Sequence, residues 1–327
     1  MRVTRQRLWT GFRGHWVTIV GVAAVIGLIV AVNPGKVALA LSHASPLLLG
    51  VMLPVVLSLY LIRGVTWFVV VHASGQPVGF RQVIRVTFIS QMFVFLPGGD
   101  LWKVPLVKLE NGAGNDSGVL TGTVVFDDLI YLFVLTFAMV PVVVGTPLLS
   151  IPLAVALLPQ LIIFAILLSP PVYGALASRV GNLTPFRRFR RELEVLGPAF
   201  RSLVRVRTVL PLIVLDAIAA SLSISLFALA LAAVHGAGSD LLHVAFTYSA
   251  SQVVTNLTVI PGALGAYEGM MTGAMALQGV APAAAATGAL LYRIGNDVLM
   301  ALIGLVVALV YDREHLLALG RSGGPRL

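Results

Sequence analysis

Cysteine is absent from the 327-residue sequence, which excludes disulfides, thiolate metal sites, iron–sulfur clusters and thiol nucleophiles. Charged residues are also scarce and make up 11% of the chain, whereas a soluble domain carries roughly a quarter. Apolar residues reach 58%, and the mean hydropathy is +0.97. Such a chain cannot bury its apolar surface internally, so an ordinary soluble protein is excluded and a multi-span membrane protein is predicted.

Acidic residues are fewer than basic ones, 13 against 22, and the net charge is +9. Most Lys and Arg residues lie in loops beside apolar runs, where they set topology and contact anionic headgroups. We therefore predict no nucleic-acid binding. The six histidines have no metal-binding spacing, so we predict neither a metal nor a cofactor.

Six apolar runs are long enough to be full transmembrane helices, so the predicted fold is an all-α integral membrane domain. They are 16–32, 46–71, 118–140, 147–168, 208–234 and 283–311. A cleaved signal peptide is the alternative for the first run. An even number of spans, with arginine-rich loops on one side, predicts that both termini are cytoplasmic.

Between the halves lies a basic loop, 171–207, and a short tail follows at 312–327. Within 179–207, the arginines from Arg187 to Arg207 are interleaved with apolar residues. This pattern predicts an interfacial helix that contacts an anionic membrane surface.

Two segments do not fit as simple spans, because Pro-Gly interrupts the short apolar stretch of each. Proline ends a helix and glycine allows a turn. Since the flanks of 81–117 are both expected in the cytoplasm and those of 239–282 both outside, we predict two broken re-entrant hairpins of opposite orientation. Irregular backbone at membrane depth is tolerated where it lines a cavity, so the hairpins are expected to meet around a site.

The two halves, 1–170 and 208–311, also match in sequence. Matching dipeptides occur in the same order in both halves, namely Ser90-Gln91, Pro97-Gly98 and Thr121-Gly122 against Ser251-Gln252, Pro261-Gly262 and Thr287-Gly288. Together with the parity of the spans, this order predicts an inverted-topology repeat. Aligned on Thr-Gly, Asp127 corresponds to Arg293.

Ionisable groups inside the spans indicate a substrate-binding site, because each costs about 2.5 to 3.5 kcal/mol at a helix centre. They are Asp127 and Asp128 in one span and Arg293 and Asp297 in another, with the polar Asn296 expected on the same helical face as Arg293 and Asp297. We expect at least one of the two adjacent aspartates to contact Arg293 or a cavity. The alternative for Arg293 and Asp297 is a self-neutralising pair at i, i+4. A proton-coupling role for one aspartate remains open.

Further charged residues follow each break and are predicted to gate or line a polar path. The expected gate residues are Pro97, Gly98, Gly99, Asp100, Lys103, Pro261, Gly262, Gly265 and Glu268. The alternative is that the charged ones are simply solvated at the bilayer surface. Asp216 is interpreted as a local hydrogen-bond partner. No nucleophile or metal arrangement accompanies the paired carboxylates, so no catalytic residue is predicted.

The motifs Pro97-Gly98-Gly99-Asp100, 261–268 and Tyr292-Arg293 together resemble the flippase-like membrane domain of lysylphosphatidylglycerol synthases. The resemblance implies lipid translocation, because bifunctional members make an aminoacylated phospholipid in a soluble domain and flip it through this membrane domain. Only 16 residues follow Tyr311. We therefore expect a stand-alone member without the synthase domain and without aminoacyl transfer.

These observations favour a flippase or transporter that moves a phospholipid or other polar-headed lipid across a bacterial inner membrane. Two alternatives belong to other classes. One is an intramembrane lipid-modifying enzyme that uses the paired aspartates as acid and base. The other is a membrane scaffold whose partner is a separate lipid or polysaccharide synthase.

Overall fold

The computed structural model describes residues 44–94, 99–111, 114–145, 150–184, 187–235, 240–257 and 265–311, with isolated residues 35, 38, 39 and 42. Within these ranges the secondary structure is helical, and no strand occurs. The predicted all-α class is thus confirmed for the described part of the chain.

Thirteen helices run through the described ranges. In chain order they are α1 (Pro46–Ala73), α2 (Phe80–Ser90), α3 (Lys103–Asn111), α4 (Ser117–Ala138), α5 (Val140–Gly145), α6 (Ser150–Leu168), α7 (Pro170–Asn182), α8 (Arg190–Leu203), α9 (Val206–His235), α10 (Leu241–Leu257), α11 (Ala266–Leu277), α12 (Pro282–Arg293) and α13 (Leu299–Tyr311). Short 3₁₀ turns occupy Gln91–Phe93, Gly99–Trp102 and Arg187–Phe189, and a π turn, Ile294–Val298, joins α12 to α13.

Four helical stretches are long and apolar enough to cross a membrane. They are Pro46–Ala73, Ser117–Val144, Val206–Val234 and Pro282–Val310, with mean hydropathies from 1.9 to 2.3. At 1.5 Å per residue each is roughly 42 Å long, more than the roughly 30 Å of a hydrocarbon core. The protein is therefore a multi-pass membrane protein, and four of the predicted spans are found.

The predicted span 147–168 differs from these four. Its described part, α6, bends by 95° into α7, and only the bent pair together passes as a span. The bend falls where Pro170 and Pro171 follow Ser169, because a proline disfavours helical backbone in the residue before it. The described residues thus hold four spans, or five with the bent pair, against six predicted; the first predicted span, 16–32, lies outside the described residues.

The stretch 171–207, predicted as a basic loop with an interfacial helix, contains most of α7 and all of α8. One face of α8 packs against α4, where a Cβ atom added at Gly118 would lie only 2.8 Å from the Cβ of Val195. Phe200 and Leu203 are fully buried on that face. The apolar side of α8 is thus covered by protein, and α8 lies against the helix that carries the paired aspartates. Contact of its arginines with an anionic membrane surface stays a prediction.

The same order of elements occurs in both halves of the chain. A long helix (α1 or α9) is followed by two shorter helices that contact each other across a break, and then by another long helical stretch. The breaks themselves, 95–98 and 258–264, lie outside the described residues. This order agrees with a repeat, while the inverted orientation of the halves stays a prediction.

The two halves meet along α1 and α9, which share the most extensive helix–helix contact of the described residues. The largest apolar core lies around this contact and includes residues of α4, α10, α11 and α12. Charged side chains on the faces that these helices turn towards this core lie close to the junction of the halves.

Packing of α13 against α2 depends on a glycine. A Cβ atom at Gly304 would clash with the carbonyl oxygen of Phe88, and a backbone carbonyl cannot rotate away. We predict that Gly304→Ala lowers the free energy of unfolding by about 1 to 3 kcal/mol through overpacking, measured by denaturation in mixed detergent micelles. The matched control is Gly273→Ala in α11, where the added methyl meets open space and should leave stability unchanged or raise it by up to about 1 kcal/mol. Equal effects of both substitutions would contradict this account.

Candidate functional site

The first charged cluster lies among α1, α4, α9 and the turn Gly99–Trp102. We call it the Arg63 cluster, and its members are Arg63, Asp100, Lys103, Asp127, Asp128 and Asp216. It brings together side chains that are far apart in sequence, because α1 packs against both α4 and α9.

Arg63 connects three of the carboxyl groups. Its Nη2 donates to Asp128 Oδ1 at 3.0 Å and lies 3.7 Å from Asp100 Oδ2. Its Nη1 lies 3.9 Å from Asp216 Oδ1, too far for a hydrogen bond. The guanidinium also stands over the Tyr131 ring, with Cζ 4.5 Å from the ring centroid, which adds a cation–π contact.

Lys103 holds the other side of Asp100. Its side chain is only 1% exposed, and Nζ donates to Asp100 Oδ1 at 2.7 Å. The ammonium also lies 5.5 Å from the centroid of the Trp67 ring. Trp67 is itself fixed, because its Nε1 donates to Thr123 Oγ1 at 3.1 Å. A buried ammonium is thus paired with a carboxylate and an aromatic face, as its desolvation requires.

Asp127 and Asp128 have different surroundings, as expected for adjacent helical residues that point about 100° apart. The side chain of Asp128 is 37% exposed and is the one that pairs with Arg63. Asp127 is 1% exposed, and among the described residues neither of its oxygens has a hydrogen-bond partner. The arginine that contacts Asp128 is thus Arg63 of α1, whereas Arg293 pairs with Glu268 and Asp297.

The second charged cluster lies where α12 passes into the π turn. We call it the Arg293 cluster, and its members are Glu268, Arg293, Asn296 and Asp297. Arg293 Nε donates to Glu268 Oε1 at 3.0 Å, and Nη1 forms an ion pair with Asp297 Oδ2. Asn296 Nδ2 donates to Asp297 Oδ1 at 2.6 Å. Arg293, Asn296 and Asp297, which were predicted to share one side of the helix, are thus connected through the carboxylate of Asp297.

Glu268 links this cluster to the start of α11. Its second oxygen, Oε2, accepts a hydrogen bond from the backbone N–H of Gly265 at 2.7 Å. Gly265 has φ +81°, a left-handed conformation that favours glycine. Since Glu268 is only 2% exposed, the expected gate residue is engaged on both oxygens rather than solvated.

A row of buried tyrosines lies between the two clusters. The hydroxyl of Tyr131 is 3.3 Å from that of Tyr248, which is 3.4 Å from that of Tyr292. The ring of Tyr292 is next to that of Tyr267, and Arg293 Cζ stands 5.4 Å from the Tyr267 centroid. Each arginine therefore contacts a tyrosine ring, and the tyrosines connect the clusters through the core.

The remaining predicted gate residues surround the breaks. Pro97, Gly98, Pro261 and Gly262 lie outside the described residues. Gly99 and Asp100 are in the turn after the first break, and a Cβ atom at Gly99 would lie 3.1 Å from the Cα of Val94. The chain on the two sides of this break is thus in direct contact, which places Asp100 beside Arg63 and Lys103.

Sequence reasoning missed Arg63 and undervalued Asp216. Arg63 interrupts the apolar run 46–71, so the insertion-cost argument that identified Asp127 applies to it equally. Asp216 was interpreted as a local hydrogen-bond partner, but no hydrogen bond to its carboxylate is found among the described residues, and it faces Arg63 instead. The proximity of Asp216 to Arg63 depends on the packing of α1 against α9, and no local sequence pattern predicts that packing.

The carboxyl groups are not arranged as metal ligands. Among the residues that the structure describes, no group of three or more His, Asp or Glu side chains is placed to hold a metal ion. Two cations, those of Arg63 and Lys103, lie between the carboxylates. Guanidinium groups suit phosphate oxygens and carboxylates suit cationic headgroups, so the arrangement fits charged organic groups.

Comparison with known proteins identifies the family to which this arrangement corresponds. The family model of the lysylphosphatidylglycerol synthase TM region matches residues 18–304, which include both charged clusters and both breaks. No curated protein matches the chain.

Glu268 provides a test of the Arg293 cluster. In Glu268→Gln the amide nitrogen must face either the Gly265 N–H or the guanidinium, both of which are donors. We predict a loss of about 1 to 3 kcal/mol in the free energy of unfolding, measured by denaturation in mixed micelles. The matched control, Glu194→Gln, breaks an exposed i, i+4 pair with Arg190 and should cost less than about 0.5 kcal/mol. If both substitutions shift the midpoint equally, the bridging role of Glu268 is wrong.

Proposed function

The chain belongs to the lysylphosphatidylglycerol synthase TM region family, and we propose that it moves a polar-headed lipid across the membrane as a flippase or lipid transporter. The membrane concerned is the inner membrane of a bacterium, with both termini in the cytoplasm. The headgroup passes through a polar chamber inside the protein while the acyl chains remain in lipid.

The observation that carries this proposal is the Arg63 cluster itself. Six ionisable side chains are gathered at the junction of helices long and apolar enough to span the bilayer. Ionisable residues in spans face a bundle interior or a wet cavity and mark substrate pathways. Two of the carboxylates, Asp100 and Asp128, have side chains 36% and 37% exposed, so the cluster has an accessible side where a headgroup can enter.

Partner exchange at Arg63 gives the proposed binding step. Arg63 Nη2 holds Asp128 at 3.0 Å and Asp100 at 3.7 Å. A lipid phosphate that enters from the accessible side replaces one of these carboxylates on the guanidinium. The released carboxylate then contacts a cationic group of the same headgroup. The buried clusters thus offer both charges to a lipid without leaving either uncompensated.

The Arg293 cluster is the proposed second binding site for the headgroup. Glu268 ties Arg293 to the start of α11, immediately after the second break. A change in the backbone of that break therefore moves the partner of Arg293, as a gate requires. The tyrosines between the clusters give the headgroup polar contacts along the way.

The basic stretch 179–207 is the proposed contact with the anionic membrane surface. The described arginines on this stretch that are exposed are Arg179, Arg187, Arg190, Arg191, Arg205 and Arg207. Basic residues near an anionic leaflet contribute about 1 kcal/mol each. α8 packs on α4, which carries Asp128. Binding of the α8 arginines to the membrane surface therefore also fixes the position of α4.

Reconstitution into vesicles tests the proposed function. Three labelled lipids are used in parallel: anionic phosphatidylglycerol, zwitterionic phosphatidylethanolamine and a cationic aminoacylated phosphatidylglycerol. A membrane-impermeant quencher reports how fast each reaches the other leaflet. We predict that at least one crosses faster than in protein-free vesicles, and that Arg63→Gln slows it about tenfold or more, the effect of about 1.4 kcal/mol of lost headgroup interaction.

The matched control for this experiment is Arg81→Gln, which removes the same charge from an exposed position of α2 and should leave the rate unchanged. Transfer that is no faster than in empty vesicles for every headgroup would contradict a transport function. Chemical change of a headgroup without transfer would instead favour the lipid-modifying enzyme.

A further inference from the structure

Two carboxyl groups of the Arg63 cluster are buried without hydrogen-bond partners. Asp127 on α4 is 1% exposed and Asp216 on α9 is 0% exposed. None of their four oxygens has a hydrogen-bond partner among the described residues. This sets them apart from Asp100 and Asp128, which have accessible side chains and direct ion pairs.

The cations of the cluster are already engaged by the accessible carboxylates. Arg63 Nη2 contacts Asp128, and Lys103 Nζ contacts Asp100. Arg63 Nη1 is turned towards Asp216 but stays 3.9 Å away. Within the described part of the chain, the cluster therefore has four carboxyl groups and only two cations. Asp127 and Asp216 are the two carboxyl groups that form no direct hydrogen bond with either cation.

Arg63 and Lys103 are the cations that act on the buried pair, and both are shared with Asp100 and Asp128. Asp216 is within electrostatic range of Asp127, Asp128 and Arg63. Asp127 is within range of Arg63, Lys103 and Asp100. The nearest hydroxyl-bearing ring is that of Tyr131, which stacks on Arg63 and whose hydroxyl contacts Ser223 and Tyr248.

An isolated carboxylate is not stable in such surroundings. Burial without a hydrogen bond disfavours the ionised form strongly, and a neighbouring carboxylate disfavours it further. Arg63, 3.9 Å from Asp216 and shared with two other carboxylates, is one cation for several negative charges. A metal ion is a poor substitute, because no group of three or more His, Asp or Glu among the described residues has a ligand arrangement. A proton neutralises a carboxyl group without needing a ligand shell.

We propose that Asp127 and Asp216 form a proton-binding site of this protein, which holds at least one proton at neutral pH. Asp128 and Asp100 form its accessible side, and Arg63 lies between the accessible and the buried carboxyl groups. Because Arg63 lies between them, a ligand bound at the accessible side also changes the electrostatic environment of Asp127 and Asp216.

A consequence for energy coupling follows, and this step alone rests on the proposed lipid transport. If a phosphate draws Arg63 towards the accessible side, the buried pair loses its nearest cation. Its affinity for protons then rises, because less positive charge stabilises the ionised form. Lipid binding and proton uptake thereby favour each other, which is the reciprocity that a proton-coupled transporter requires.

Infrared spectroscopy of the reconstituted full-length protein tests the site directly. A protonated carboxyl group gives a C=O absorption that carboxylates do not, and ¹³C-labelled aspartate shifts the bands that come from Asp. We expect wild-type protein at neutral pH to show such a band, shifted by ¹³C-aspartate. Absence of that band in the wild type would overturn the proposal without any variant.

Two substitutions locate the proton. Asp127→Asn and Asp216→Asn should each remove or shift the band, whereas Asp240→Asn, at an exposed carboxylate, should leave it unchanged. Circular dichroism and gel filtration check that each variant is folded. A band that survives both buried substitutions, or that disappears only in Asp128→Asn, assigns the proton elsewhere and contradicts the proposal.

The infrared result does not depend on transport. A band that is lost in Asp127→Asn and Asp216→Asn, with no lipid movement in vesicles, supports the proton site and rejects the transport function. Lipid movement in a protein that lacks the band rejects the proton site alone. Where both are found, a pH gradient across the vesicle should change the rate in wild-type protein and leave the Asp216→Asn rate unaffected.

Discussion

The guanidinium group of Arg63 is the interaction on which the centre of this protein depends. A charged side chain in the middle of a spanning helix is stable only when its partners are brought to it. Arg63 draws carboxyl groups from the turn after the first break, from α4 and from α9. Arg63 therefore fixes the position of α1 relative to segments from both halves. A movement of α1 would leave several charges without partners at once.

The second half also has an arginine within a span that is paired with carboxylates, but the carboxylates come from different elements. Arg293 lies on the last spanning stretch, and its carboxylate partners come from its own helix and from α11. Glu268 also accepts from the Gly265 N–H, so one carboxylate fixes both a charge and a helix start. The π turn after Arg293 contains Asp297, and such turns occur often at functional sites because they re-aim side chains.

The spans at 46–71, 118–140, 208–234 and 283–311 could be predicted from sequence because they depend on local composition, which a bilayer reads directly. Asp127, Asp128 and Arg293 could be identified by their insertion cost. The i, i+4 partner of Arg293, Asp297, was also within reach of sequence. The partner of Asp128 was not, since Arg63 meets Asp128 and Asp216 only through helix packing. The covered face of α8 was missed for the same reason: an apolar stripe with Phe200 and Leu203 fits a membrane surface and a neighbouring helix equally well.

The two clusters are not copies of each other, although the order of helices repeats. Aligned on Thr-Gly, Asp127 corresponds to Arg293, yet the arginine that pairs with the adjacent Asp128 comes from α1, the first described helix of its half, whereas Arg293 lies in the last spanning stretch. In the Arg293 cluster both carboxylates contact the arginine. In the Arg63 cluster two carboxylates remain behind the arginine, without hydrogen bonds among the described residues. Among the described residues, the excess negative charge therefore lies in the Arg63 cluster, at one end of the tyrosine row.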